Sequence, residues 1–257
     1  GGILEQLINA KINHLFNAEG DLVMARFHFA LKQWWMRGLK EQEVFVADKS
    51  KSAVEKFKKK LRWKDDESWF DCGGIGIVIY AICSNEVKVV EELLRELKEK
   101  YEGAEYTRRL ESCTRDEGYI TLGIPGQTTT LFAAMAWGSP DIVSMLLAYG
   151  ANTNSIDVMG NDAFMYASVY GRVENIVCWI QDVKNVDLEK CNSVLGATSI
   201  FAAVNMGSNK FATVSVLLKQ GARVDAMTHA GFSVLMAACA NEDADPKVVK
   251  EILKLYD

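Results

Sequence analysis

Apolar residues recur along this chain at helical spacing. Behind Pro140, the residues Ile142, Val143, Leu146 and Leu147 fall on one face of a short helix. The stripe returns as Ile176, Trp179 and Ile180, then as Val214, Leu217 and Leu218, then as Val248, Val249, Ile252 and Leu253. Ahead of each stripe lies a different segment, alanine-rich and opened by a polar residue. These segments start at Thr129, Asp162, Thr198 and Ser233, at intervals of 33, 36 and 35 residues. A Thr, Ser or Asp side-chain oxygen can accept from the first free amides of a helix, so each start predicts a cap. A large apolar residue stands two places on and a small one three further, which lets a neighbouring helix approach closely. Pro140 and Pro246 suit a first helical turn, and Gly150 and Gly221 predict stops in the left-handed conformation. Units of this length bury their core by stacking side by side, so the predicted fold class is an all-α solenoid.

The same residues resemble ankyrin repeats. Gly150-Ala151-Asn152 and Gly221-Ala222-Arg223 match that family's Gly-Ala-Asp element, and Gly126, Gly160, Gly196 and Gly231 lie at or near the glycine before its first helix. Thr130, Ala163, Ser199 and Val234 stand in place of the family's proline, and Phe132, Met165, Phe201 and Met236 in place of its histidine. An interlocking polar contact is thereby exchanged for apolar packing. The resemblance covers residues 72–257 and implies an ankyrin-type α-solenoid of about five repeats, the last incomplete. One unit is traced upstream: Gly74 to Cys83 as a degenerate first helix, then Glu86 to Leu97 with Val89, Val90, Leu93 and Leu94 inward. From Gly76 to Thr129 is 53 residues, so an insertion falls at about 98–125. It is expected to extend the second helix and finger and to project from one face, as a binding element or as a terminal cap.

Residues 1–71 do not fit the repeat and are read as an N-terminal helical region, a cap or a separate small domain. A stripe from Ile3 to Phe16 predicts one helix, and Asp21 caps a second through Leu39. Ser50 or Ser52 starts a third with Val54, Phe57 and Leu61 inward.

Composition narrows the classes. The 257 residues are 49% hydrophobic and 25% charged with a net charge of −5, which supplies no global field toward nucleic acid. No run approaches the roughly 18–20 apolar residues of a membrane span, and the first twenty residues lack the order of a signal peptide. The opening Gly1-Gly2, without a starting Met, predicts a piece of a longer polypeptide. Six cysteines without zinc-knuckle spacing read as reduced thiols of a cytoplasmic protein, with nuclear or membrane-face placement as alternatives. Gly73-Gly74-x-Gly76 lacks the strand and acidic residue of a dinucleotide fingerprint. With three scattered histidines, no catalytic, metal or cofactor site is expected, and the chain reads as no enzyme. The basic cluster at 49–64 is followed at once by Asp65, Asp66 and Glu67, so a solvated helix face is favoured over an anionic-surface site.

The resemblance implies recognition of a protein partner, as a scaffold or adaptor. The alternative is a regulatory segment of a larger enzyme or membrane channel packing on its own polypeptide. In ankyrin-like stacks the partner lies across the concave face and hairpin tips. Those positions hold Trp137, Met159, Asn161, Tyr166, Tyr170, Leu195, Asn205, Met206 and Phe232, and the aromatic ones suit interface hot spots.

Overall fold

In a computed structural model the described residues are 52–61, 77–111, 128–240 and 244–255. They hold twelve helices, here α1 (Ala53–Leu61), α2 (Ile77–Cys83), α3 (Val87–Lys100), α4 (Gly103–Leu110), α5 (Thr130–Trp137), α6 (Pro140–Ala148), α7 (Ala163–Val169), α8 (Val173–Asp182), α9 (Ser199–Met206), α10 (Lys210–Lys219), α11 (Val234–Ala240) and α12 (Pro246–Leu253). No strand occurs among these residues; isolated bridges join Cys191 to Thr198 and Met227 to Ser233. The chain divides into two compact units, 1–77 with 113–128 and 78–112 with 129–257. In the first unit, Ser52 accepts from the Glu55 amide at the start of α1, and Val54 and Phe57 are buried as their spacing predicts. The two helices expected within residues 1–39, Gly73–Gly76, Gly126 and the second half of the insertion lie outside the described residues.

The second unit is an all-α solenoid. Helices α5, α7, α9 and α11 pack in succession as one layer, and α6, α8, α10 and α12 pack in succession as the other, with α3 against α6. Capping follows the sequence. Thr129, Asp162, Thr198 and Ser233 accept from the amides of Phe132, Met165, Phe201 and Met236 at 3.2, 2.9, 3.4 and 3.2 Å. Pro140 and Pro246 begin their helices, and Gly150 (φ 90°) and Gly221 (φ 91°) end theirs. At the matching place after α8 stands Asn185, at φ 57°, although that helix already stops at the extended Val183. Asparagine tolerates the left-handed region better than other side chains, so the register is kept.

Each first helix is sealed by the repeat after it. At the place of the family's histidine, Phe132, Met165 and Phe201 are 0%, 3% and 8% exposed, whereas Met236 in the last repeat is 53% exposed. Neighbours are also joined by polar contacts. Asn175 of α8 donates to the carbonyls of Ala134, Met135 and Gly138 at 3.1–3.2 Å, and Arg172 to Gly138 at 2.7 Å, closing the end of α5. These bonds satisfy carbonyls that a helix C-terminus leaves open.

The described part of the insertion lengthens α3 and adds a short helix after it. Helix α3 ends at Lys100, and α4 is a separate short helix entered through Gly103 at φ 55°. It is fastened to the next repeat. The Tyr106 hydroxyl donates to the Tyr149 carbonyl at 2.6 Å, Thr130 donates to the Leu110 carbonyl at 2.8 Å, and Glu111 accepts from the Asn152 amide at 2.6 Å. At 14 residues α3 is longer than α6, α8, α10 and α12, which have 8–10, and it stops where Tyr101 takes extended backbone.

Candidate functional site: fingers and first-helix ends

Three fingers lie among the described residues, numbered second to fourth by the repeat each one follows (α2–α3 being the first repeat), and each is built around one polar side chain. Asp157 accepts from the amides of Met159 and Asn161, both at 2.8 Å, from the Asn161 side chain at 3.0 Å and from the Tyr166 hydroxyl at 3.0 Å. Asn192 occupies the matching place and accepts from the amides of Leu195 and Ala197 at 3.0 and 3.1 Å. Thr228 does so in the last finger, accepting from Phe232 at 3.1 Å. Short polar side chains that bond the backbone a few residues on are how such turns are held. The fingers are also tied to one another. Asn192 donates to the Asn161 side chain at 2.9 Å, and the His229 amide donates to the Leu195 carbonyl at 2.8 Å. Gly196, at φ 67°, permits the last contact, since a Cβ there would lie 2.5 Å from the His229 ring.

With these backbones fixed, the fingertips present apolar groups to solvent. Ile156, Val158, Met159, Val194, Leu195 and Phe232 are exposed, joined from the ends of the first helices by Met206 and Asn205. A groove of about 390 Å³ opens between the third and fourth fingers, floored by Phe201 and Ala237.

Two expected surface rings are not on the surface. Trp137 is 9% exposed and Tyr166 5%, and they belong to an internal aromatic ladder. Phe132 stacks on Tyr166 with centroids 5.0 Å apart, Tyr166 on Tyr170 at 6.1 Å, and Trp137 meets Tyr170 edge-on at 5.2 Å. Such pairs add to area burial, so interior packing outcompetes display. Tyr170 is half-buried, and desolvation, with a smaller contribution from Cys83 nearby, raises its hydroxyl pKa. Asn161 is half-buried and spends its amide on Asp157 and Asn192. Met159, Leu195, Asn205, Met206 and Phe232 are exposed as expected. Sequence reasoning misses the finger organisers Asp157 and Asn192, although Asp157-x-x-Gly160 and Thr228-x-x-Gly231 share a spacing that marks them.

One side-chain cluster has the composition of reactive chemistry. The Ser144 hydroxyl donates to Asp182 at 2.6 Å and lies 3.2 Å from the Cys178 sulfur, joining α6 to α8. Desolvation raises the Cys178 thiol, partly opposed by Ser144, and favours its protonated form, which is a poor nucleophile. No group of three or more metal-ligating side chains occurs among the described residues.

Paired helices in two layers, capped alike and joined by fixed fingers, define a repeat solenoid. Residues 126–158 match the family model of the ankyrin repeat, and the paired-helix architecture around them is consistent with that match. Over 130 residues, 50% of this chain, the sequence is 31% identical to phosphocholine transferase AnkX of Legionella pneumophila subsp. pneumophila. That alignment takes in 13% of the Legionella protein, so this chain spans a small part of that relative.

Proposed function

We propose that the second unit recognises a protein partner across its concave face and fingertips, acting as a scaffold or adaptor module. The observation that carries this reading is the row of exposed apolar side chains at successive fingertips, Met159, Leu195 and Phe232, each on a backbone fixed by internal bonds. Exposed apolar groups aligned on a rigid frame are an interaction surface, and a frame needing little ordering lowers the cost of association. Asn205 and Met206 extend the surface, with Asn161 and Tyr170 at its edge and Trp137 and Tyr166 beneath it as support. The domain division carried with this reading is a helical region at 1–71 and repeats at 72–257 with an insertion at about 98–125. The free thiols of Cys83, Cys178, Cys191 and Cys239 fit a reducing, cytoplasmic compartment. No helix among the described residues is long and apolar enough to cross a membrane.

Affinity capture from the source cells, with mass spectrometry, tests the proposal. Met159→Lys with Val194→Lys and Leu195→Lys leaves helix content unchanged and removes the partners that wild type enriches. An unaltered capture profile rejects it.

A second reading makes the stack a regulatory segment of a larger enzyme, packing on its own polypeptide. The partial match to a named transferase favours it. Sequencing the gene beyond both ends and finding a catalytic segment there supports this version; finding only further repeats rejects it.

A further inference from the structure

The groove between the third and fourth fingers differs from the rest of the surface in its chemistry. Val194 and Leu195 form one wall, and Thr228 to Ala230 with Phe232 form the other. None of the lining residues is Asp, Glu, Lys or Arg, in a chain where those make up 25%. His229 is the one titratable group in the lining. The volume of about 390 Å³ lies in the range of sites that enclose small organic groups. The walls are held in place before anything binds. Asn192 fixes Leu195, the His229 amide holds the Leu195 carbonyl, and Thr228 fixes Phe232.

Resting on the recognition reading above, we propose that this groove is the specificity pocket of the surface and takes an uncharged, bulky apolar side chain of a partner peptide. Charge complementarity selects that occupant. A carboxylate or ammonium entering the groove would lose water and meet no counter-charge, which costs several-fold more than an apolar group gains. An apolar anchor loses no hydrogen bond and covers Leu195 and Phe232, which are now 44% and 49% exposed. Asn205, exposed and part of the same lining, supplies a polar group within the pocket. The remaining fingertips then contribute general contact, while this pocket decides which residue is read.

The test is a phage-displayed library of short random peptides panned on the full chain. Enriched peptides are expected to share a Leu, Phe, Met or Trp anchor, with Asp, Glu, Lys and Arg excluded from that position. Their binding falls about ten-fold or more with Leu195→Asp, with Phe232→Asp and with Ala230→Trp. The last variant fills the groove without removing apolar surface, so it separates occupancy of the pocket from general stickiness. Val177→Asp, on an exposed site of α8, leaves binding unchanged. Urea midpoints measured on every variant identify any that lose the fold, and Ala230→Trp, at an exposed fingertip, carries the test if the Asp variants do. Peptides that bind all three groove variants like wild type, or that carry a charged anchor, overturn the pocket while leaving recognition standing. Failure to enrich any peptide overturns both.

Discussion

Replacing Asp157 by Ala removes the hub of the second finger. The carboxylate is buried and accepts four hydrogen bonds, two from backbone amides, one from Asn161 and one from Tyr166. A hydrogen bond to a charged group contributes about 1.5–3 kcal/mol net, and a buried donor left without a partner costs about 1–3 kcal/mol. Water reaches the two finger amides once the loop loosens, but it reaches the buried Tyr166 hydroxyl poorly. The expected loss is therefore about 3–5 kcal/mol, a large part of the roughly 5–15 kcal/mol that holds a domain together. Asp157→Asn keeps an acceptor for both amides, as Asn192 does at the equivalent place in the next finger, but puts an NH2 where an oxygen accepts from Asn161 and Tyr166, and costs about 1–3 kcal/mol. Tyr166→Phe costs about 1–2 kcal/mol, and its effect shrinks by about 1 kcal/mol or more once Asp157 is already Ala. Urea unfolding followed by circular dichroism measures these three single variants, the double variant and wild type. If Asp157→Ala unfolds within about 0.5 kcal/mol of wild type, or if the two substitutions simply add, the finger is not organised by this carboxylate.

Met165→Ala is expected to cost about 2–4 kcal/mol and Met236→Ala less than about 1, because the same register position is sealed in one repeat and open in the other; equal losses in thermal melts would contradict that packing. Burial raises the Glu111 carboxyl, with the Asn152 amide only partly opposing it, so the native state holds its proton more tightly than the unfolded chain and this group's contribution falls as pH rises. Glu111→Gln is therefore at least as stable as wild type at neutral pH, and wild type gains on it as pH drops through the carboxylate range; a gap that widens the other way in pH-dependent urea titrations refutes the assignment. Desolvation pushes the Cys83 and Cys178 thiols up, while Cys191 and Cys239 are exposed. Iodoacetamide with peptide mass spectrometry should label the latter pair at once and the former only after unfolding, and early labelling of Cys178 would show that the α6–α8 contact opens readily.

Legible in the chain is whatever depends on neighbours in sequence. Thr129, Asp162, Thr198 and Ser233 announce helix starts because a cap bonds an amide only a few residues away. Gly150 and Gly221 announce stops for the same reason. Asn185 is hidden because an asparagine takes the left-handed turn at a place where Gly150 and Gly221 stand in the neighbouring repeats. Trp137 and Tyr166 read as surface residues because equivalent positions in such repeats face outward. Their burial arises from rings thirty or so residues apart in the chain, Phe132 against Tyr166 and Trp137 against Tyr170, and no local pattern encodes that. The groove between the third and fourth fingers is likewise a product of two separate turns held at a fixed distance by the Leu195–His229 bond.

That bond has a counterpart in the Ser208 amide, which donates to the Val169 carbonyl, and in the Asn192 to Asn161 contact. Each connects a unit only to the one beside it. Cohesion in such a molecule is therefore handed along from neighbour to neighbour, so the loss of one junction weakens the pairs beside it before it reaches distant ones. A lesion at Asn192 would split the molecule's response to heat into two steps, because the turns on either side would no longer melt in concert.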